Sequence, residues 1–127
     1  MGNTASILNM LFKVGLDAQI SFSPDKLSDS TAIILPGVGA FDQGMNKIRD
    51  SGVYELLEEL VVHRKKPFLG ICLGMQMLFE SSEEGKEKGL GWLSGNVRRF
   101  DFSDCDQPPK IPHMGWNTVD ASNNNFL

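Results

Sequence analysis

Between residues 3 and 14, Ile7, Leu8, Met10, Leu11 and Val14 recur at helical spacing, which predicts an amphipathic helix with Asn3 as N-cap and Gly15 as C-cap. A chain that starts on a helix is unusual for an alternating α/β architecture, where the first helix follows a strand. Residues 18–22 form a short apolar segment that reads as a strand, ended by Ser23, Pro24 and Asp25. Residues 31–35 (Thr, Ala, Ile, Ile, Leu) are β-rich and nearly continuously apolar, the pattern of a parallel strand covered on both faces. That run stops at Pro36, Gly37, Val38 and Gly39.

Residues 41–48 read as a helix. Residues 53–63 set Leu56, Leu57, Leu60 and Val61 against Glu55, Glu58 and Glu59, an amphipathic crossover helix leading into a second strand at Pro67. Past residue 80 the pattern weakens. Residues 81–89 are polar with mixed charge and read as a mobile, solvated surface loop. Residues 96–100 suggest a strand, 101–109 a loop, and 110–119 an extended segment carrying Pro112, His113, Met114, Gly115, Trp116 and Asn117.

The most informative stretch is residues 67–79, where a short apolar run passes through Gly70, Ile71, Cys72, Leu73 and Gly74 into residues of good helix propensity. This is strand, tight turn, helix, with Cys72 at the turn. A Gly-x-Cys-x-Gly pentad is the nucleophile-elbow pattern with cysteine in place of serine, and its glycines allow the close backbone approach that the turn requires. Unpaired N–H groups at a helix start favour an anion there, and so the thiolate form of the side chain. The alternative is a small buried apolar cysteine. Similarly, Gly37 and Gly39 free the backbone around Val38 to present N–H groups to an oxyanion, or form a plain turn.

Composition narrows the function classes. With 127 residues and 41% hydrophobic content the chain fits one soluble domain, and no run approaches the roughly eighteen apolar residues of a membrane span. No secretory leader is visible, so the expected setting is cytoplasmic. Twelve basic against sixteen acidic residues, a net charge of -4, lack the basic excess of a nucleic-acid footprint. The two cysteines are far apart and no His/Cys cluster has metal-ligand spacing, so neither a metal nor a disulfide framework is expected. Cys105 stands between Asp104 and Asp106, where like charge disfavours a thiolate.

A cysteine nucleophile needs a base that is itself oriented. His63 falls at the basic end of a predicted helix and reads as solvated, and His113 sits beside Pro112; neither is followed two residues later by a carboxylate.

The pentad with Met75 and Gln76, the Pro36–Gly39 turn, and the segment from Lys110 to Asn117 together resemble the class I (triad) glutamine amidotransferases. Met1, Gly2 and Asn3 resemble the end of the family's Gly-Met-Gly-Asn turn. Within the family the chain is most similar to the branch that supplies ammonia to a (β/α)8-barrel cyclase partner in histidine biosynthesis.

The resemblance implies an α/β fold with a doubly wound, mostly parallel sheet, here an incomplete copy, and no cofactor. It implies that Cys72 attacks the side-chain amide of glutamine, that the N–H groups of Val38 and Leu73 hold the oxyanion, and that Gln76, Gly37 and Gly39 serve the substrate site. Asn3, His113, Met114, Trp116 and Asn117 would line the face toward the cyclase. The family's His-x-Glu pair lies downstream of the Trp116 segment, which the 127 residues do not reach, so this chain alone is expected to be inactive. A non-catalytic docking module and an amidotransferase serving another acceptor, such as a sugar, remain as alternatives.

Overall fold

The computed structural model describes residues 4–118 except Pro108 and His113. Helix α1 spans Thr4–Lys13, so the expected N-cap, Asn3, lies outside the described residues. Its C-terminus is closed as expected. Gly15 has a φ of +81°, its N–H donates to the Phe12 carbonyl at 3.0 Å, and the Leu16 N–H donates to Leu11 at 2.9 Å. These paired bonds are a Schellman motif, which satisfies carbonyls that the last turn leaves without helical donors.

Residues 18–22 are not a strand. A strand needs a neighbour for its backbone groups, and β1, the strand that follows, pairs only with β2 among the described residues. Local bonds take over instead: the Ser23 N–H donates to Ser21 Oγ, and Lys26 Nζ donates to Gln19 Oε1, both at 3.0 Å. Helix α2, Pro24–Asp29, then carries a proline in its first turn, where the missing N–H costs nothing. Its C-terminal end is held by Lys66, whose ammonium donates to the carbonyls of Leu27 at 3.0 Å and Ser28 at 2.8 Å.

Strand β1, Ile33–Gly37, starts and ends two residues later than the sequence pattern suggests, so Pro36 and Gly37 belong to the strand. It pairs in parallel with β2, Phe68–Cys72, in a register that sets Ile33 against Phe68 and Gly37 against Cys72. The expectation that β1 is covered on both faces does not hold for this pair. Ile33 is buried, but the other four residues of β1 are only half-buried, and Leu69, paired with Ile34 on β2, is 54% exposed.

The crossover comprises α3 (Phe41–Asp50) and α4 (Tyr54–Glu58), which runs on as a π-helical turn over Glu59–His63. In that turn the Arg64 N–H reaches back five residues to Glu59 at 2.9 Å. Phe41, Met45 and Ile48 lie one helical turn apart and are buried, as are Val53, Leu57 and Leu60. With Ile33, Leu73, Met77 and Leu90 they make the core.

After β2 the chain turns directly into α5, Leu73–Gln76, a single turn rather than a helix reaching Phe79. A second pair of strands follows, β3 (Ser81–Ser82) parallel to β4 (Asn96–Val97), so the strand expected over 96–100 is two residues long. Residues 110–118 form no strand among those described. No helix among the described residues is long and apolar enough to cross a membrane.

Candidate active site

Cys72 is the last residue of β2 and the N-cap of α5, and it is exposed. Its backbone sits at φ 53°, ψ −117°, a region that a residue with a Cβ adopts only when its surroundings impose it, at a cost of about 1–3 kcal/mol. The imposing contacts come from the glycines on either side. A Cβ built on Gly74 would lie 1.8 Å from the Leu35 carbonyl oxygen, and one on Gly70 would lie 2.6 Å from the Met75 Cα. Strand β1, the elbow and the start of α5 therefore meet backbone to backbone.

The same packing brings in the proline–glycine turn. Gly37 faces Cys72 in the strand register, and a Cβ there would approach the Gly74 nitrogen to 2.9 Å and the Leu73 Cβ to 3.0 Å. Val38 is 54% exposed at this carboxyl edge of the sheet, and Gly39 follows with a φ of +107°. Leu73, the first residue of α5, has a buried side chain and a main-chain N–H with no acceptor inside the helix. Gln76 closes that turn and is half-buried. Cys72, Leu73, Gln76, Gly37, Val38 and Gly39 thus share one edge of the sheet, the usual ligand side of open α/β folds. Because α5 is one turn long, this site depends on its imposed backbone geometry more than on a summed helix dipole.

His63 does not join them. It is exposed at the end of the π turn, before β2 begins, whereas Cys72 is the residue on which β2 ends. The strand alone separates those ends by roughly 13 Å. His113 and Asn3 lie outside the described residues. Met114 and Trp116 are 85% and 103% exposed, and Asn117 is exposed beside them. Cys105 is exposed and unpaired with any other cysteine, in a turn where its N–H donates to the Phe102 carbonyl. Among the described residues, no three His, Cys, Asp or Glu side chains are grouped as a metal ion would require.

Within residues 81–89, expected to be a mobile surface loop, the turn over 83–88 is anchored. Asp42, the second residue of α3, accepts the N–H groups of Lys86 and Glu87, each at 2.9 Å to Oδ1. Arg49, two helical turns further along α3, donates to the Glu87 carboxylate and the Lys88 carbonyl. Glu83 accepts the Arg99 N–H at 2.8 Å. Spacing i, i+7 does place Asp42 and Arg49 on one face, but polar composition alone hid what they hold.

The backbone N–H bonds from Glu87 and then Lys86 hold the Asp42 carboxyl below its ordinary value of 3.8, and the bond from Arg99 does the same for Glu83 against 4.5. Both groups are depressed in the folded state. Their contribution to holding the turn is therefore complete above those ordinary values and is lost as pH falls through the lower folded ones.

The chain is similar to known proteins. Imidazole glycerol phosphate synthase subunit HisH 2 of Methanococcus maripaludis is 49% identical over 127 residues, covering 100% of this chain and 61% of that protein. The corresponding HisH 2 of Pseudomonas aeruginosa is 50% identical over 119 residues, 94% of this chain and 57% of its own length. Subunit HisH of Leptospira borgpetersenii is 42% identical over 127 residues, 100% of this chain and 62% of its own. The chain thus spans about three-fifths of the length of these curated relatives. Residues 1–125 match the family described as glutamine amidotransferase class-I, and the chain belongs to that family.

Proposed function

We propose that this chain is the nucleophile-bearing part of a glutaminase subunit of imidazole glycerol phosphate synthase. The observation that carries the reading is the imposed backbone of Cys72, φ 53° and ψ −117°, beside the Gly37–Gly39 turn. In the proposed reaction Cys72 Sγ attacks the side-chain amide carbon of glutamine, and the main-chain N–H groups of Val38 and Leu73 donate to the resulting oxyanion. A base takes the thiol proton and returns it to the amide nitrogen as the C–N bond breaks. Ammonia leaves, water hydrolyses the thioester, and glutamate and the free thiol remain.

Gly37 and Gly39 keep the oxyanion turn open, and Gln76 contributes to holding the substrate. The base and its orienting carboxylate are the His-x-Glu pair implied by the family resemblance, since His63 is at the wrong end of β2. General acid–base help from such a pair is typically worth about 10²- to 10⁴-fold.

Ammonia passes to a (β/α)8-barrel cyclase in a cytoplasmic heterodimer. The exposed side chains of Met114 and Trp116, with Asn117, contribute to that interface, as do Asn3 and His113. Support for this partner comes from the names of the relatives, which are those of synthase subunits.

The test is labelling by a glutamine-analogue alkylator, read by mass spectrometry at each cysteine. Cys72 should be modified rapidly and saturably, and Cys105 should not. In a protein that carries the His-x-Glu pair, Cys72→Ala should abolish both labelling and glutamine hydrolysis; retained hydrolysis would assign the nucleophile elsewhere.

A further inference from the structure

Asp42 lies three residues beyond Gly39, at the start of the helix that follows the Val38 turn, so it belongs to the same edge of the sheet as Cys72. Its carboxylate is held by backbone N–H groups, with the Lys86 ammonium adding a weaker attraction. Oδ1 accepts from Lys86 and Glu87 at 2.9 Å each, and Oδ2 accepts from Lys86 at 3.1 Å. A Cβ on Gly85 would come within 2.0 Å of Asp42 Oδ1 and 3.2 Å of the Phe41 ring, so the turn is seated against this one residue and the buried phenyl beside it.

Behind it, α3 is seated on the elbow. A Cβ on Gly44 would meet Met77 Sδ at 2.7 Å and Leu73 Cδ2 at 3.2 Å. The start of α3 therefore joins three pieces of chain: the Val38 turn before it, the elbow beneath it, and the 83–88 turn that the elbow leads into. Arg49 grips the far side of that turn through Glu87 and Lys88.

We propose that Asp42 is a positioning residue that fixes the 83–88 turn as a wall of the glutamine pocket, registered against the Val38 turn. This rests on the glutaminase reading. Two backbone N–H groups bound by one carboxylate leave the turn little freedom to slide, because any shift breaks both bonds together. Without them the start of the turn stays tied through Glu83 to Val97 and Arg99, but residues 86–88 are left to the Arg49 contacts, which are at the exposed far side and weaken with salt. The elbow backbone is imposed by Gly70 and Gly74 and does not depend on Asp42. Loss of Asp42 should thus weaken capture of a substrate-shaped molecule and leave the reactivity of the thiol toward small reagents unchanged.

Saturation kinetics of Cys72 labelling separate these effects, with a glutamine-analogue alkylator and iodoacetamide compared on the same peptide. Asp42→Ala should raise the half-saturating analogue concentration about tenfold, the scale of losing a net hydrogen bond to a charged acceptor. The iodoacetamide rate should not change. Asp42→Asn, whose amide oxygen can still accept both N–H groups, should recover most of the loss. A half-saturation unchanged in Asp42→Ala, or an iodoacetamide rate that falls in parallel with analogue labelling, overturns the positioning role while the glutaminase reading stands. If the unaltered protein shows no saturation with the analogue, the glutaminase reading fails and this inference fails with it.

Discussion

The elbow and the N-terminal region are both short apolar segments bounded by glycine, yet they are held in opposite ways. Around Cys72, glycines are required because neighbouring backbone occupies the space a side chain would need: Gly37, Gly70 and Gly74 all have main-chain atoms within 3 Å of a built Cβ. Around Gly15 nothing lies within 4 Å, and the glycine is there for its positive φ. One region is fixed by tertiary contact. The other is closed by its own Schellman bonds while Met10, Phe12, Val14, Leu16, Ile20 and Phe22 stay exposed. Local sequence is enough to form and end a helix, but it does not by itself find a surface to bury against.

The largest expected effect beyond loss of the nucleophile is on the turn facing it. Gly39 has φ +107° and open space around it, so Gly39→Val strains the backbone of the turn without creating a clash. If Val38 donates to the oxyanion, turnover of a protein that carries the His-x-Glu pair should fall about 10- to 1000-fold, the scale of losing one such donor, while glutamine binding changes less. Steady-state kinetics would return the loop to a structural turn if kcat were unchanged.

A stability pair sharpens the contrast between the two kinds of glycine. Gly74→Ala puts a methyl 1.8 Å from the Leu35 carbonyl oxygen, which α5 and β1 cannot accommodate without moving apart, and should cost about 3 kcal/mol or more. Gly15→Ala meets no atoms and should cost about 1 kcal/mol, the penalty for its left-handed backbone alone. Urea unfolding midpoints measure both. Equal losses would mean that the close approach at Gly74 relaxes freely.

These residues also show which parts of the structure could be read from the chain. The elbow was legible because Gly-x-Cys-x-Gly encodes a close approach that only glycine permits. Residues 41–48 were legible as a helix, though not which of their side chains would be buried. The 18–22 segment was misread because an apolar run states a preference for burial and says nothing of a partner strand. The anchoring of 83–88 was invisible for a different reason: Asp42 acts on backbone N–H groups more than forty residues away, and such acceptors leave no mark in the sequence of the turn they hold.

The smallest effect is expected where apolar side chains are present but unburied. Phe12 is 82% exposed on a helix with no buried residue, so Phe12→Ser removes little packing and should change unfolding free energy by less than about 0.5 kcal/mol. Met45, fully buried on α3, supplies the opposite case: Met45→Ala should cost about 2–5 kcal/mol through lost contacts and the cavity left in the core cluster. The serine variant should also resist self-association, because it thins an exposed apolar patch that other copies can meet. Unfolding curves taken at several protein concentrations distinguish the two contributions. A large, concentration-independent loss in Phe12→Ser would mean that α1 packs against the domain in solution, and the division between a tertiary-held elbow and a locally held N-terminal helix would fail at that point.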